Sequence, residues 1–385
     1  MIEKKKIFYI WKSPYPWDVR IEKICNALVE FGYEVYIVCL WGGEEKGHEC
    51  INGINIVRVG YNENPKKYIP IPFNPFWKKQ IIKLINELQP DLIINREMYL
   101  ADISGKLAKK FNIPIIMDMA ENYPAAMKLW KKYSNTFLKR LIYHKLDLPT
   151  WLERKSLKYM KGLIVVCDEN GERVKDKYNY KNKIVTIYNT PSKDFFKNTE
   201  PKNKILQIIH HGHLTNEKNF LQFFKEYVEI INNKEISVQL YIYGDGENLK
   251  DYISMVSQST CNHSIQFKGS YKFEEIYNKI EIVDLGIIPY EVNDFNQNTL
   301  HNKIFDYMMM GKAIIVSSNK PMTNIIEKYD CGWVLQNNAE LLKLLKSIDE
   351  EKLKEKGRNS RNAYISQFNW ENDKLKLKEF IGGFL

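Results

Sequence analysis

The chain has 385 residues, a length that suits two domains rather than one. Its residues are 44% hydrophobic and 27% charged, an ordinary globular balance, and no apolar run approaches the roughly 18–20 residues needed to span a bilayer. The formal charge of +10 lies in the first half: residues 1–190 carry 32 Lys and Arg against 21 Asp and Glu, the remainder 25 against 26. A basic half meets an anionic partner or is a lysine-rich solvated surface, and composition does not choose between them.

The opening MIEKKKIFYIWKSPYPW is positively charged, but its apolar run is too short for a signal peptide, so a cytosolic protein is expected. Six scattered cysteines, with no C-x-x-C spacing, read as reduced thiols and not as disulfides or metal ligands. Residues 6–10 read as a first strand. Asp18 to Phe31 then reads as a helix with Ile21, Ile24, Cys25, Leu28 and Val29 on one face, stopped by Gly32 before the strand EVYIVCL. No G-x-G-x-x-G follows the first strand, which disfavours a nicotinamide or flavin enzyme. NGINIVRVG, PDLIINRE, IPIIMDM and GLIVV continue the strands, with amphipathic helices between them.

Residues 127–161 interleave Lys and Arg with Trp130, Tyr133, Phe137, Leu138, Leu141, Ile142, Tyr143 and Trp151 at helical spacing. That pattern fits an interfacial segment on an anionic membrane surface; the plain alternative is a core helix with a basic exposed face. Nothing resembles a stacking platform or recognition helix, so nucleic acid is not an expected partner. PSKDFFKNTEPKNK marks a boundary ending near Asn203. Beyond it ILQIIHHGHLT, SVQLYIYGDG, SIQFKGS and VDLGIIPY restart an α/β alternation.

Asn298–Asn319, NTLHNKIFDYMMMGKAIIVSSN, has loop–helix–strand punctuation, with Asn302, Lys303 and Asp306 crowding the helix start. Read by spacing alone, it is a capped amphipathic helix whose Lys303 and Asp306 are solvated. The stretch also resembles the donor-binding signature of the retaining, nucleotide-sugar-dependent glycosyltransferases of family 4. It keeps N-K-I-F-D-Y-M and G-K-A-I.

That resemblance implies a GT-B fold: two Rossmann-like α/β domains facing a deep interdomain cleft. An acceptor-binding domain is expected at 1–190, a linker at 191–203 and a nucleotide-sugar domain at 204–365. A final helix at 366–385 would cross back to the first domain. Gly212-His-Leu-Thr-Asn-Glu-Lys218 resembles the family's G-R-L-x-x-x-K loop, so His213 and Lys218 stand where an Arg and a Lys clamp the donor diphosphate. Cations there stabilise the charge that grows on the leaving phosphate, without a metal or other cofactor. Gly244 opens the matching G-D-G turn. Asp306 takes the second position of an E-x7-E pair whose first position is Asn298, and Thr299, Leu300 and Lys303 complete the donor site.

In the first half, Asp18 and Arg20 match members with D-x-R in the first loop. Asp118 and Glu121 match D-x-H-E, with Ala120 where the His would be. The resemblance makes Glu121 and Asp18 the catalytic candidates, and Arg20 and Asp118 acceptor ligands. It implies transfer of a hexose or N-acetylhexosamine, from UDP above other nucleotides, to a glycan or polyprenyl-diphosphate-linked acceptor of bacterial surface polysaccharide. Two alternatives stay open: a GT-B sugar-nucleotide 2-epimerase, and a homologue that binds the donor without turnover.

Overall fold

The computed structural model describes residues 3–385 apart from 17, 44, 61–64, 72, 192, 198–202, 260–262 and 273, so Cys261 and part of the expected linker lie outside the described residues. It divides into two compact units, Met1–Asn189 with Glu371–Leu385, and Thr190–Trp370.

The first unit is an eight-stranded sheet in the order β3-β4-β2-β1-β5-β6-β7-β8. Its strands are β1 Lys6–Pro14, β2 Glu34–Leu40, β3 His48–Ile51, β4 Ile54–Val59, β5 Leu92–Arg96, β6 Ile115–Met119, β7 Gly162–Val165 and β8 Lys183–Thr186. Only the β3–β4 pair is antiparallel. Strands buried on both faces, such as β5 (LIINR) and β6 (IIMDM), are near-continuous apolar runs, as a helix-covered parallel sheet requires. The helix Val19–Glu30 buries Ile21, Ile24, Cys25 and Leu28, the face its periodicity marks. The last helix, Trp370–Gly382, buries Leu377, Phe380 and Ile381. From Glu371 onward it belongs to this unit, where Lys374 pairs with Glu30 at 3.0 Å.

The second unit is a six-stranded, fully parallel sheet in the order β11-β10-β9-β12-β13-β14. Its strands are β9 Leu206–His211, β10 Val238–Tyr243, β11 Ile265–Gly269, β12 Leu285–Ile288, β13 Ala313–Ser317 and β14 Gly332–Leu335. Counted within the unit, this is the doubly wound order 3-2-1-4-5-6, which reverses between β9 and β12. Those two strands pair only at Ile208–Leu285 and Ile209–Gly286, so their carboxyl ends part. The first unit carries the same reversal between β1 and β5. In such sheets ligands bind outside the carboxyl ends of the strands at the reversal, and each unit has buried ionisable groups there, Asp118 and Arg96 in the first and Lys303 and Asp306 in the second.

Candidate functional site

In the second unit the loop after β9 and the turn after β10 are pressed together backbone to backbone. Gly212 N–H donates to Tyr243 O at 2.9 Å, and Leu214 N–H to Asp245 O at 3.0 Å. Gly244 has φ +137°, and a Cβ there would lie 2.0 Å from the Gly212 carbonyl oxygen. At Gly244 the close neighbour is therefore the chain itself. Gly212, at φ +117°, faces a side chain instead: a Cβ on it would lie 3.0 Å from Lys303 Nζ.

Lys303 comes from the helix Lys303–Met309, all seven residues of which are buried. The solvated helix start that spacing allows is therefore not formed. The Lys303 ammonium meets the Tyr290 hydroxyl and lies 4.5 Å from the centre of that ring. Burial, reinforced by the charge of Lys218, pushes its pKa well below 10.5, and Asp306 opposes the shift. Among the described residues no carboxylate lies within ion-pair reach of either ammonium.

Asp306 is 8% exposed; its Oδ1 accepts from Tyr277 Oη at 3.1 Å and its Oδ2 lies 3.6 Å from His211 Nε2. His211 Nε2 has no hydrogen-bond partner, and burial together with the Lys303 charge holds that imidazole neutral. Thr299 is buried and its hydroxyl is likewise without a partner. Leu300 is buried beside it. Asn298 spends its amide on Asp294 O at 2.9 Å, inside its own loop, and His213 is exposed. The second unit thus brings Gly212, Lys218, Lys303, Asp306 and Thr299 to the β9/β12 reversal. His211 at the end of β9, Tyr290 just after β12 and Tyr277 from the helix Glu275–Glu281 join them; single aromatic and His residues carry no spacing signal that could have announced this.

In the first unit Asp118 ends β6 fully buried. It accepts from Arg20 Nε at 2.9 Å and Nη2 at 2.7 Å, from Arg96 Nη1 at 2.8 Å, and from Tyr9 Oη at 2.6 Å. Against the cost of burial, the two guanidiniums and these bonds hold its pKa down to about 2. Arg20, itself buried, spends Nη1 on Ile187 O at 2.9 Å. Asp118 and Arg20, expected as acceptor ligands, are bonded to each other and to the backbone of the unit. Asp18 is the N-cap of its helix, accepting from the Arg20 and Ile21 amides at 3.0 Å, and its second oxygen lies 3.5 Å from Arg96. Asp18, expected as a catalytic candidate, thus caps its helix and approaches Arg96. Glu121 is half-buried, and its charge acts on the hydroxyls of Tyr99 and Tyr123.

Three residues that the motifs do not mark complete this reversal. Glu97 follows β5 with φ +62°, a left-handed backbone that costs a non-glycine residue about 1 kcal/mol. The conformation is held by its N–H on Asp118 O at 2.9 Å and by Asn95 Nδ2 on its carbonyl at 2.7 Å. Its carboxylate is buried and hydrogen-bonded by Tyr123; Oε1 lies 3.8 Å from Arg96 Nε, while Oε2 has no hydrogen-bond partner and stands 3.9 Å from Lys12 Nζ. Burial raises the Glu97 pKa against the charges of Arg96 and Lys12. Lys12 is itself pushed down by burial, its ammonium 4.5 Å from the ring centres of both Trp11 and Tyr99.

The 127–161 stretch is not one amphipathic helix. It breaks into Tyr123–Leu129, Lys131–Tyr133, Phe137–Arg140, Leu141–Lys145 and Leu148–Leu157. Trp130, Tyr133 and Tyr143 turn inward onto Tyr123 and Tyr99, while Phe137 (83% exposed), Leu138 (62%), Leu146 (68%) and Trp151 (50%) face outward.

Among family models, Glycosyltransferase Family 4 matches residues 18–190 and Glycosyl transferases group 1 matches residues 206–348. No curated protein matches the chain. Solved structures share the fold at low identity. Sucrose-phosphate synthase from Thermosynechococcus elongatus superposes with a TM-score of 0.75 at 13% identity, over 99% of both chains. A glycosyltransferase from Rickettsia africae gives 0.68 at 18%, over 99% of this chain and 98% of that one. Anabaena HepE in complex with UDP gives 0.69 at 13%, over 98% of this chain and 100% of that one.

Proposed function

Since the chain belongs to the family 4 glycosyltransferases of GT-B fold, we propose that it is a retaining transferase that moves a hexose or N-acetylhexosamine from a UDP-sugar. The observation that carries this reading is the buried Lys303 ammonium beside Lys218, unmatched by a carboxylate in ion-pair reach and flanked by the unsatisfied Thr299 hydroxyl. Two cations in a low-dielectric crevice are costly until an anion arrives, and a nucleoside diphosphate brings the compensating charge. The HepE structure holding UDP favours that base over guanine or adenine. In this reading Gly212 lets the phosphate and Lys303 approach, Asp306 orients the ribose or sugar hydroxyls, and no metal is required. The acceptor is a glycan or a polyprenyl-diphosphate-linked sugar held by the first unit.

The same reading takes the outward Phe137, Leu138, Leu146 and Trp151, set among Lys131, Lys132 and Lys145, as a contact with an anionic membrane surface. Among the described residues no helix is long and apolar enough to cross a membrane. Flotation with vesicles containing phosphatidylglycerol, against phosphatidylcholine alone, tests that part. A second reading, donor binding without turnover, is favoured by the Asn298 amide being engaged by Asp294.

The deciding experiment is thermal stabilisation by UDP, GDP, ADP and their sugars, with and without Mg²⁺, followed by transfer assays. A rise with uridine nucleotides that ignores Mg²⁺ is expected. Indifference to every nucleotide would reject the donor site, and binding without transfer to any acceptor would favour the second reading.

A further inference from the structure

The strand reversal of the first unit holds a second buried carboxylate, Glu97, whose Oε1 lies 3.8 Å from Arg96 Nε and whose Oε2 has no hydrogen-bond donor. Of the described non-glycine residues with positive φ, the others sit at helix ends or in turns; Glu97 alone follows a parallel strand, at the edge where a ligand would bind. Its neighbour Asp118 takes both guanidiniums at close range, whereas Glu97 Oε2 is buried with no donor. Lys12, on the other side of the reversal, stands 3.9 Å from that oxygen, too far for a hydrogen bond, and its side chain keeps 21% of its surface open. Trp11 and Tyr99 wall the ammonium, so the pair sits in a low-dielectric slot with one side wet.

We propose that Glu97 and Lys12 bind a hydroxyl of the acceptor sugar, which accepts from Lys12 Nζ and donates to Glu97 Oε2. The inference rests on the transferase reading and names the acceptor-side carboxylate as Glu97, with Glu121 flanking it through Tyr99 and Tyr123. The recognised class is a neutral polyhydroxylated ring: a hydroxyl can donate and accept at once and so satisfies both groups, whereas an anion would face the Glu97 carboxylate. Burial raises the Glu97 pKa against Arg96, Lys12 and the Tyr123 hydrogen bond, and lowers that of Lys12 against Glu97, in keeping with a site of low dielectric.

The test is a glycan array of neutral mono- and oligosaccharides probed with the full chain in saturating UDP, for wild type, Glu97→Gln and Lys12→Met. Thermal stabilisation by UDP is run in parallel. Wild type retains a subset of glycans, and each variant binds them at least about tenfold more weakly, as loss of a charge-assisted hydrogen bond implies. UDP stabilises all three proteins alike. Lys12→Met, at a partly open position, keeps the test usable if Glu97→Gln does not fold. Equal glycan binding by the variants overturns the proposal, as does a wild type that takes UDP but no glycan. Glycan binding weakened in the variants upholds the pair even where UDP gives no stabilisation, an outcome that would count against the donor reading alone.

Discussion

In both units the crevice where the strand order reverses collects buried ionisable groups, but the two sets are differently satisfied. Around β1, β5 and β6, Asp118 meets two guanidiniums and a tyrosine at hydrogen-bond distance. Around β9 and β12, Lys303 meets Tyr290 and the like charge of Lys218, and the carboxylate of Asp306, beyond ion-pair reach of it, accepts from Tyr277. A saturated cluster supports the fold; an unsaturated one costs stability and marks where a ligand completes the bonding. A narrower contrast operates inside the first unit, where both Asp118 oxygens accept hydrogen bonds and Glu97 Oε2 does not.

The sharpest way to break the comparison is to open the closed cluster. Asp118→Asn leaves the buried Arg20 guanidinium without its carboxylate and leaves Arg96 only the longer pairs with Asp18 and Glu97, and should cost roughly 3–5 kcal/mol, read as a fall in the denaturant midpoint. A loss under about 1 kcal/mol would mean that the hub is not holding the sheet. The same group sets an acid limit. Its folded pKa, about 2, lies below the ordinary 3.8, so its contribution is complete above 3.8 and is lost as the pH falls from there toward 2. Gly244→Ala, which drives a Cβ into the Gly212 carbonyl, should cost at least about 2 kcal/mol in the same assay.

The open cluster should respond in the reverse sense. Lys303→Met removes a buried ammonium, so the free protein keeps or raises its thermal midpoint while UDP affinity falls roughly 10–100-fold by calorimetry. A variant that loses stability and affinity together would make Lys303 a structural group. The smallest expected effect is a proton. Free Lys303 has its pKa pushed well below 10.5, and a bound diphosphate restores it; the complex then holds more protons than the free protein, and affinity declines as the pH rises through that interval. The calorimetric enthalpy should therefore vary with the ionisation enthalpy of the buffer.

Both sheets were legible in the sequence because parallel strands buried on two faces are apolar runs, punctuated as EVYIVCL and AIIVS are. Lys303 and Asp306 were legible only through a motif, since their spacing reads equally as a solvated helix start; burial of all seven residues of that helix is a tertiary fact. Glu97 and Lys12 were not legible. They lie 85 positions apart, and what distinguishes them, a left-handed φ and an unpaired oxygen, arises only when β1 and β5 are neighbours. Asp118 and Arg20 carried the motif, yet their side chains were spent on each other, because a buried carboxylate takes the nearest cations whatever its motif implies.

The β9/β12 crevice is proposed as a diphosphate site that a ligand's charge completes. Titration of UDP into wild type and Lys303→Met, each in a phosphate-free buffer of low and of high ionisation enthalpy, tests it most directly. Proton uptake on binding to wild type, absent in a weaker-binding Lys303→Met, is the expected result. Equal affinity and equal enthalpies for the two proteins would contradict the account.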